Sequence, residues 1–250
     1  MPANLIRFLQ CGGVVNVAAM TTLLIATRNA HKLAEIRAIL GGEFRYLTLS
    51  DLPGAPAVME DAATFDGNAI KKAVELARWL ATPDSSVQTP DSRIFVLADD
   101  SGLDVDALNG APGVHSARFA ALDIGTTGNS SDTDNNAKLL RLLKTVPPKQ
   151  RTARFRCVVA LTPVIHDRIE SASPVCYADE QSMQTELFEG TCEGRIISEP
   201  RGKNGFGYDP LFMPDGFEQT FAELGENIKN RLSHRARALA KLKDWFERRG

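Results

Sequence analysis

Along the chain, short apolar runs alternate with longer stretches in which apolar positions recur every three or four residues. TTLLIAT (Thr21 to Thr27) is a β-branched, apolar run of the kind that forms a buried strand. In the following HKLAEIRAILGG, the residues Leu33, Ile36, Ala38 and Leu40 take approximate helical spacing, and Gly41-Gly42 stops the helix. FRYLTL (Phe44 to Leu49) reads as a second strand. A β-α-β opening predicts an α/β fold. NAIKKAVELARWLA (Asn68 to Ala81) is an amphipathic helix with Ile70, Ala73, Val74, Ala77 and Leu80 on one face. RIFVLA (Arg93 to Ala98) is a strand that runs straight into Asp99-Asp100-Ser101-Gly102. NAKLLRLLKTV is a helix ended by Pro147-Pro148, and ARFRCVVAL (Ala153 to Leu161) alternates as a strand. His166 to Met183 reads as a hairpin with a long tip, and Thr185 to Ile197 as the strand that continues it. The last helix runs from Ser233, a plausible N-cap, to about Arg248. Polar stretches at Thr82 to Ser92 and Asp123 to Asn135 read as loops.

Composition narrows the class. With 250 residues, 43% of them hydrophobic, the chain can build one large domain or two small lobes. A net charge of −2 supplies no basic field, so neither nucleic acid nor a membrane surface is an expected partner. Basic residues do cluster in RTARFR (Arg151 to Arg156) and in the C-terminal RLSHRARALAKLK, and a solvated face is the simplest account of the first. The four cysteines, Cys11, Cys157, Cys176 and Cys192, form no CxxC pair and no zinc spacing, which suits a reduced, cytoplasmic protein. No run approaches the roughly 18 apolar residues of a membrane span. The first twenty residues carry one charge, Arg7, and glycines break their apolar run. They read as a disordered or non-native extension (1–20) ahead of a single domain over 21–250.

Five stretches carry candidate chemistry. TRNAHK (Thr27 to Lys32) lies where a strand ends and a helix begins, and helix N-termini offer free N–H groups to anions. A plain helix cap, with Asn29 capping and Lys32 solvated, is the other reading. No GxxxxGK[ST] phosphate loop is present. LADDSGLDVDALNGAPG brings Asp99 and Asp100 to the end of an apolar strand, with Asp104 and Asp106 close behind. Adjacent carboxylates repel, so a cation such as Mg²⁺ would account for their company; turn chemistry at the backbone would do so too. Glu60 precedes a helix that carries Asn68 and Lys72 at i, i+4 spacing. GKNGFGYD alternates glycine with Phe206 and Tyr208, which suits either a ring laid on a planar base or a tight connection between strands. Finally, Ser233, His234 and Arg235 open the last helix, where the helix dipole disfavours cations.

Together these stretches resemble the inosine triphosphate pyrophosphatase family, also called dITP/XTP pyrophosphatases. The resemblance runs from about Thr22 to Phe246. It rests on ATRNAHK, matching the family's (T/S)xNxxK turn; TFDGNAIKKA, matching its F-x-x-N-A-x-x-K-A helix; ADDSGLDVDALNGAPGVHSARF; GFGYDPLF; and SHRARAL. It implies a long mixed β-sheet flanked by helices, in two lobes with the site in the cleft, usually as a homodimer. It implies Mg²⁺-dependent hydrolysis of a nucleoside triphosphate, especially a deaminated purine nucleotide, to monophosphate and pyrophosphate. Carried over, Thr27, Asn29 and Lys32, with Arg28, Ala30 and His31 of the same turn, hold the triphosphate. Asp100 activates water and helps bind magnesium, with Glu60 and Asp99 in support. Ser101 contacts substrate and Lys72 adds charge near the phosphates. Phe206 stacks on the base beside Gly207, Tyr208 and Asp209, and Lys229, His234 and Arg235 reach the base or its phosphates.

The chain departs from that pattern at His31, where Gly is common, at Gly67, where Glu is common, and in three longer loops. The residues leave open a nucleotide pyrophosphatase of another base preference, and a nucleotide-binding module without catalysis. Paired carboxylates beside two lysines weigh against the second.

Overall fold

The computed structural model describes residues 20–82, 93–123, 125–126, 128–165 and 184–249. The expectations for 1–19, for most of the polar loop at 83–92 and for the hairpin at 166–183 lie outside the described residues. Six strands form one sheet in the order β2-β1-β3-β4-β5-β6: β1 (Thr22–Ile25), β2 (Arg45–Thr48), β3 (Ile94–Val105), β4 (Thr152–Pro163), β5 (Glu186–Ile196) and β6 (Phe212–Pro214). β1 pairs in parallel with β2 and β3, while β3, β4, β5 and β6 pair antiparallel in turn. The sheet is therefore mixed. Its parallel part follows the β-α-β opening, through α1 (Ala30–Leu40) and α2 (Phe65–Leu80).

Both faces of the first half of the sheet are covered, as a parallel segment requires. On one face, Phe65, Ala69, Ala73, Leu76, Ala77 and Leu80 of α2 pack on Leu24, Val96, Ala98, Val158 and Ala160. On the other, Ile36 and Leu40 of α1 and Ala238, Leu239 and Leu242 of the last helix pack on Leu23, Ile25, Leu97, Val159 and Leu161. A third core surrounds the far halves of β3 and β4, with Leu103, Val105, Ala153, Phe155, Tyr208, Phe212 and Phe221. Along β3, residues 99–102 fall between the first two cores and the third, and this is the junction of the two lobes.

The last helix, α6 (His234–Glu247), follows α3 (Asp132–Leu142), α4 (Phe221–Leu224) and α5 (Glu226–Leu232). It lies unusually close to β5. A Cβ at Gly190 would collide with the backbone of His234 and Ala238. Ser233 caps α6 as expected, accepting from Ala236 N at 3.2 Å.

Three expectations change. Asp99 and Asp100 do not end their strand: β3 is 12 residues long and its ladder with β4 continues to Val105 opposite Ala153. It is β1 that ends, with Ile25 opposite Leu97. The acidic pair therefore sits inside β3, just past the point where its neighbour leaves the sheet. Second, α2 starts at Phe65, three residues earlier than the apolar spacing suggests, because Thr64 caps Gly67 N at 3.1 Å. Third, α3 starts at Asp132, inside the stretch read as loop. Ser131 caps Asp134 N at 3.1 Å, and Asp132 and Asp134 suit the positive end of the helix.

Candidate active site

The turn from β1 into α1 is held by its own side chains. The Asn29 amide oxygen accepts from His31 N at 2.9 Å and Lys32 N at 3.1 Å, and Asn29 N donates to Thr27 Oγ1 at 3.1 Å. The capping role of Asn29 is thus realised. Lys32 is not solvated: its ammonium sits 2.5 Å from Asp99 Oδ1. Arg28, Asn29, Ala30 and His31 stay exposed along the rim.

Successive side chains on a strand point to opposite faces, and the two aspartates obey that rule. Asp99 faces α1 and α6, where it meets Lys32, Arg235 Nε at 3.1 Å and the Cys157 thiol, which donates to Oδ2 at 3.1 Å. Asp100 faces α2, where Asn68 Nδ2 donates to Oδ2 at 3.0 Å, and Ser101 N donates to Oδ1 at 3.1 Å. Adjacency in sequence is therefore no argument for a shared metal. The sheet keeps the carboxyls apart, and the partners of Asp99 are cations of the protein itself.

The faces also give the pair opposite acid–base character. Burial alone would raise both carboxyls. At Asp99, Arg235 and Lys32 overcome burial and hold the group far below the ordinary carboxylate range. At Asp100, burial outweighs the more distant Lys32 and Lys72 and the Asn68 hydrogen bond, and the carboxyl is pushed up to about 6. Lys72 Nζ stands between the two, donating to Asp99 O at 3.0 Å and Glu60 Oε1 at 2.9 Å.

From Asp99 a chain of buried charge runs towards the glycine-rich loop. Arg235, 1% exposed, donates from Nε to Asp99, from Nη1 to Glu35 and from Nη2 to Ser101 Oγ at 2.9 Å. Glu35 also meets Lys229 at 2.7 Å, and Lys229 meets Asp209 Oδ2 at 2.5 Å. Asp209 Oδ2 then accepts from Phe206 N at 2.8 Å. Arg235, a cation in the first turn of α6, is stabilised against the helix dipole by Asp99 and Glu35. Arg235 is raised further still, because Asp99 and Glu35 outweigh its burial. His234 is packed flat on Phe155, with centroids 4.8 Å apart. Burial and the neighbouring Arg235 hold its pKa well below the ordinary value, so the ring is neutral, and its buried Nδ1 has no partner among the described residues.

The glycine-rich loop is shaped by positive φ at Gly202, Gly205 and Gly207. A Cβ at Gly205 would also strike Asp209 Oδ2, so the Asp209–Phe206 contact needs that glycine. The two aromatics of the loop separate. Tyr208 is buried and donates from its hydroxyl to Ser116 O at 2.9 Å. Phe206 faces the site, with Lys229 Nζ 4.5 Å from its ring centroid and the His31 imidazole stacked at 5.2 Å. Asp132 Oδ2 accepts from Gly207 N at 2.6 Å and tethers the loop to α3.

The structure thus brings together Lys32, Lys72, Asp99, Asp100, Ser101, Arg235, Glu60 and, through the charge chain, Lys229, Asp209 and Phe206. The sequence reading missed Glu35, Asn68 as the partner of Asp100, and Cys157 as more than a core residue. One turn separates Glu35 from Lys32 on α1, and that i, i+3 spacing was its available signal. Among the described residues no three His, Cys, Asp or Glu side chains converge on a metal position. Asp100 and Glu60 instead offer two hard carboxylates. That set suits Mg²⁺, which prefers one or two carboxylates completed by water and phosphate oxygens.

The geometry defines a class: an open α/β sheet whose cleft joins an acid–lysine cluster to an aromatic, glycine-shaped loop. Comparison then fixes the family. The Ham1 family model matches residues 23–245, and the chain belongs to the Ham1 family. A relative from Geobacter sulfurreducens, named dITP/XTP pyrophosphatase, is 46% identical over 226 residues, covering 90% of this chain and 96% of its own. One of the same name from Shouchella clausii is 42% identical over 228 residues, covering 91% of this chain and 98% of its own. Among solved structures, a HAM1 protein from Coxiella burnetii superposes with a TM-score of 0.70 at 33% identity, over 92% of this chain and all of that one. The Staphylococcus aureus Ham1 protein gives 0.69, also at 33% identity and with the same coverage.

Proposed function

We propose that this protein hydrolyses nucleoside triphosphates with deaminated purine bases (ITP, dITP, XTP) to the monophosphate and pyrophosphate, and so clears them from the nucleotide pool. The observation that carries this reading is the division of the acidic pair. One carboxyl is fixed as an anion among cations. The other, on the opposite face of the strand, is pushed up to about 6 by burial despite Lys32 and Lys72. Asp99 is committed to Lys32 and Arg235, which leaves Asp100 as the member of the pair placed to take a proton from water.

In this reading Lys32 and Lys72 neutralise the triphosphate, since phosphoryl transfer depends mainly on positioning and charge. Asp100 takes a proton from the water that attacks phosphorus. As water's oxygen bonds to the α-phosphorus, the bond from that phosphorus to the α–β bridging oxygen breaks, so water's oxygen ends on the monophosphate and the bridging oxygen leaves with pyrophosphate. Asp99 orients Lys32 and Arg235 rather than reacting, and Asn68 orients Asp100. Asp100 and Glu60 would hold Mg²⁺, which supplies charge neutralisation at the phosphate oxygens. Phe206 is the platform for the base, at the far end of the charge chain. Thr27, Arg28, Asn29, Ala30 and Ser101 line the phosphate side, and Gly207, Asp209, Lys229 and His234 the base side. The deaminated-purine preference is supported by the names of the relatives. A homodimer in the cytoplasm completes the proposal. No helix among the described residues is long and apolar enough to cross a membrane.

The test is product analysis with ITP, XTP, GTP and ATP in Mg²⁺. Monophosphate and pyrophosphate, mainly from the first two, are expected. Activity should vanish with a chelator and return with Mg²⁺. Release of orthophosphate, or equal use of ATP, would overturn the reading. Light scattering of the purified protein tests the dimer.

A further inference from the structure

Between the two ends of the site stands His31. It is the second residue of α1, and its backbone N–H is fixed by the Asn29 cap. Its imidazole lies over Phe206, with centroids 5.2 Å apart and planes 13° from parallel. The side chain is exposed, and its ring nitrogens make no hydrogen bond among the described residues. The pocket lined by His31, Glu35, Phe206, Phe221, Lys229 and Asn230 has a volume of about 60 Å³. Rings with centroids 5.2 Å apart leave no room for a third ring between them. A base cannot lie on the covered face of Phe206 while His31 occupies it.

The groups around that ring differ in their freedom to move. Lys229 is buried and held by Glu35 and Asp209. Phe206 is pinned through its N–H to Asp209. Among the described residues the His31 side chain is held only by its stack on Phe206. An outward swing about its side-chain torsions opens the platform without breaking an ion pair. If the ring then went to solvent, that stack would be forfeited. If it settled on the outer face of the base, two stacks would replace one, and every base has a face to offer.

We propose that His31 is the movable second wall of the base site: its imidazole covers Phe206 in the empty enzyme and closes on the outer face of the bound purine. The proposal rests on the reading of Phe206 as base platform. It makes His31 a base-binding residue, although it sits in the phosphate turn.

Steady-state kinetics with ITP on wild type, His31→Ala, His31→Phe and Phe206→Ala, with inorganic tripolyphosphate as a base-free competitor, separates these roles. Because closure gives up the His31–Phe206 pair and gains a stack on the larger base, His31→Ala should raise KM by about 2- to 10-fold, the excess of a base stack over an aromatic pair. In His31→Ala, kcat should stay within about twofold and the tripolyphosphate inhibition constant should not move. His31→Phe should restore KM. An unchanged or lower KM in His31→Ala, or a parallel rise in the tripolyphosphate constant, would overturn the proposal. If Phe206→Ala raises KM and His31→Ala does not, only the movable wall fails. If neither raises it, the base platform fails as well.

Discussion

The acidic end of the site and the glycine-rich loop are joined by one chain of charge, yet they are held in place by different means. Asp99 and Asp100 sit in the interior of a 12-residue strand whose backbone is paired along β4. Phe206 sits in a loop with positive φ at three glycines, pinned by Asp209 and Asp132. At the first end the backbone fixes the geometry and the neighbours tune the charge. At the second, side chains fix the geometry of a backbone that would otherwise be free. Substitutions at the strand should therefore change chemistry, and substitutions at the loop should change affinity.

The largest effect expected is on turnover. Asp100→Asn should fold normally and lose about 10²- to 10⁴-fold in kcat, the usual contribution of a general base. Retention of more than a tenth of wild-type turnover would move the base elsewhere and erase the contrast. Next, Phe206→Ala should raise KM for ITP by about 5- to 150-fold, from about 1–3 kcal/mol of base stacking, with a small change in kcat. A kcat loss matching that of Asp100→Asn would show that the loop shapes the reacting end too.

A third expectation concerns stability of the metal-free protein. The folded-state carboxyl of Asp100 is raised from 3.8 to about 6. Its ionised form is therefore disfavoured by folding, and the wild type loses stability as pH rises from about 4 through 6. Asp100→Asn in chelator should be more stable than wild type at pH 8, by about 1–2 kcal/mol after discounting for the group's residual exposure. The gain should fade below pH 4. Asp99 carries the opposite sign, since its depressed pKa stabilises the fold above the ordinary carboxylate range and that contribution is lost on acidification. Chemical denaturation at the two pH values reads the difference, and a variant less stable at pH 8 would refute the assignment. The smallest effect is at Cys157→Ala. Loss of one thiol hydrogen bond to Asp99 should cost about 1 kcal/mol and leave KM unchanged.

Much of this was legible in the sequence because it is local. The β1–turn–α1 unit, the Asn29 cap, the Asn68–Lys72 helix face and the Ser233 cap all depend on residues within one or two turns of each other. The partners of the cation at the start of α6 were not legible. Arg235 reaches Glu35 across 200 residues of sequence, and no periodicity reports such a contact. The partners of Asp99 were not legible for a related reason: whether two adjacent carboxyls meet depends on whether the backbone there is a loop or a strand. β6 has three residues, too few for a period to register. The buried fate of Tyr208 and the open one of Phe206 could not be told apart in a motif where both alternate with glycine.

The alternation of β3 has a consequence for how this chain can change. The anchoring carboxyl and the reactive one differ only in parity along a single strand. A one-residue deletion before Asp99, absorbed as a slip against β4, would turn each carboxyl to the opposite face of the sheet. The sequence would keep Asp-Asp-Ser-Gly intact and the sheet would keep its pairing. Asp100 would then meet Lys32 and Arg235, and Asp99 would take the place of Ala98, on the α2 face but two residues short of the position that meets Asn68. A slip of two residues would restore each carboxyl to its own face, displaced along the strand. In this strand an insertion or deletion is therefore judged less by its size than by whether it is odd or even.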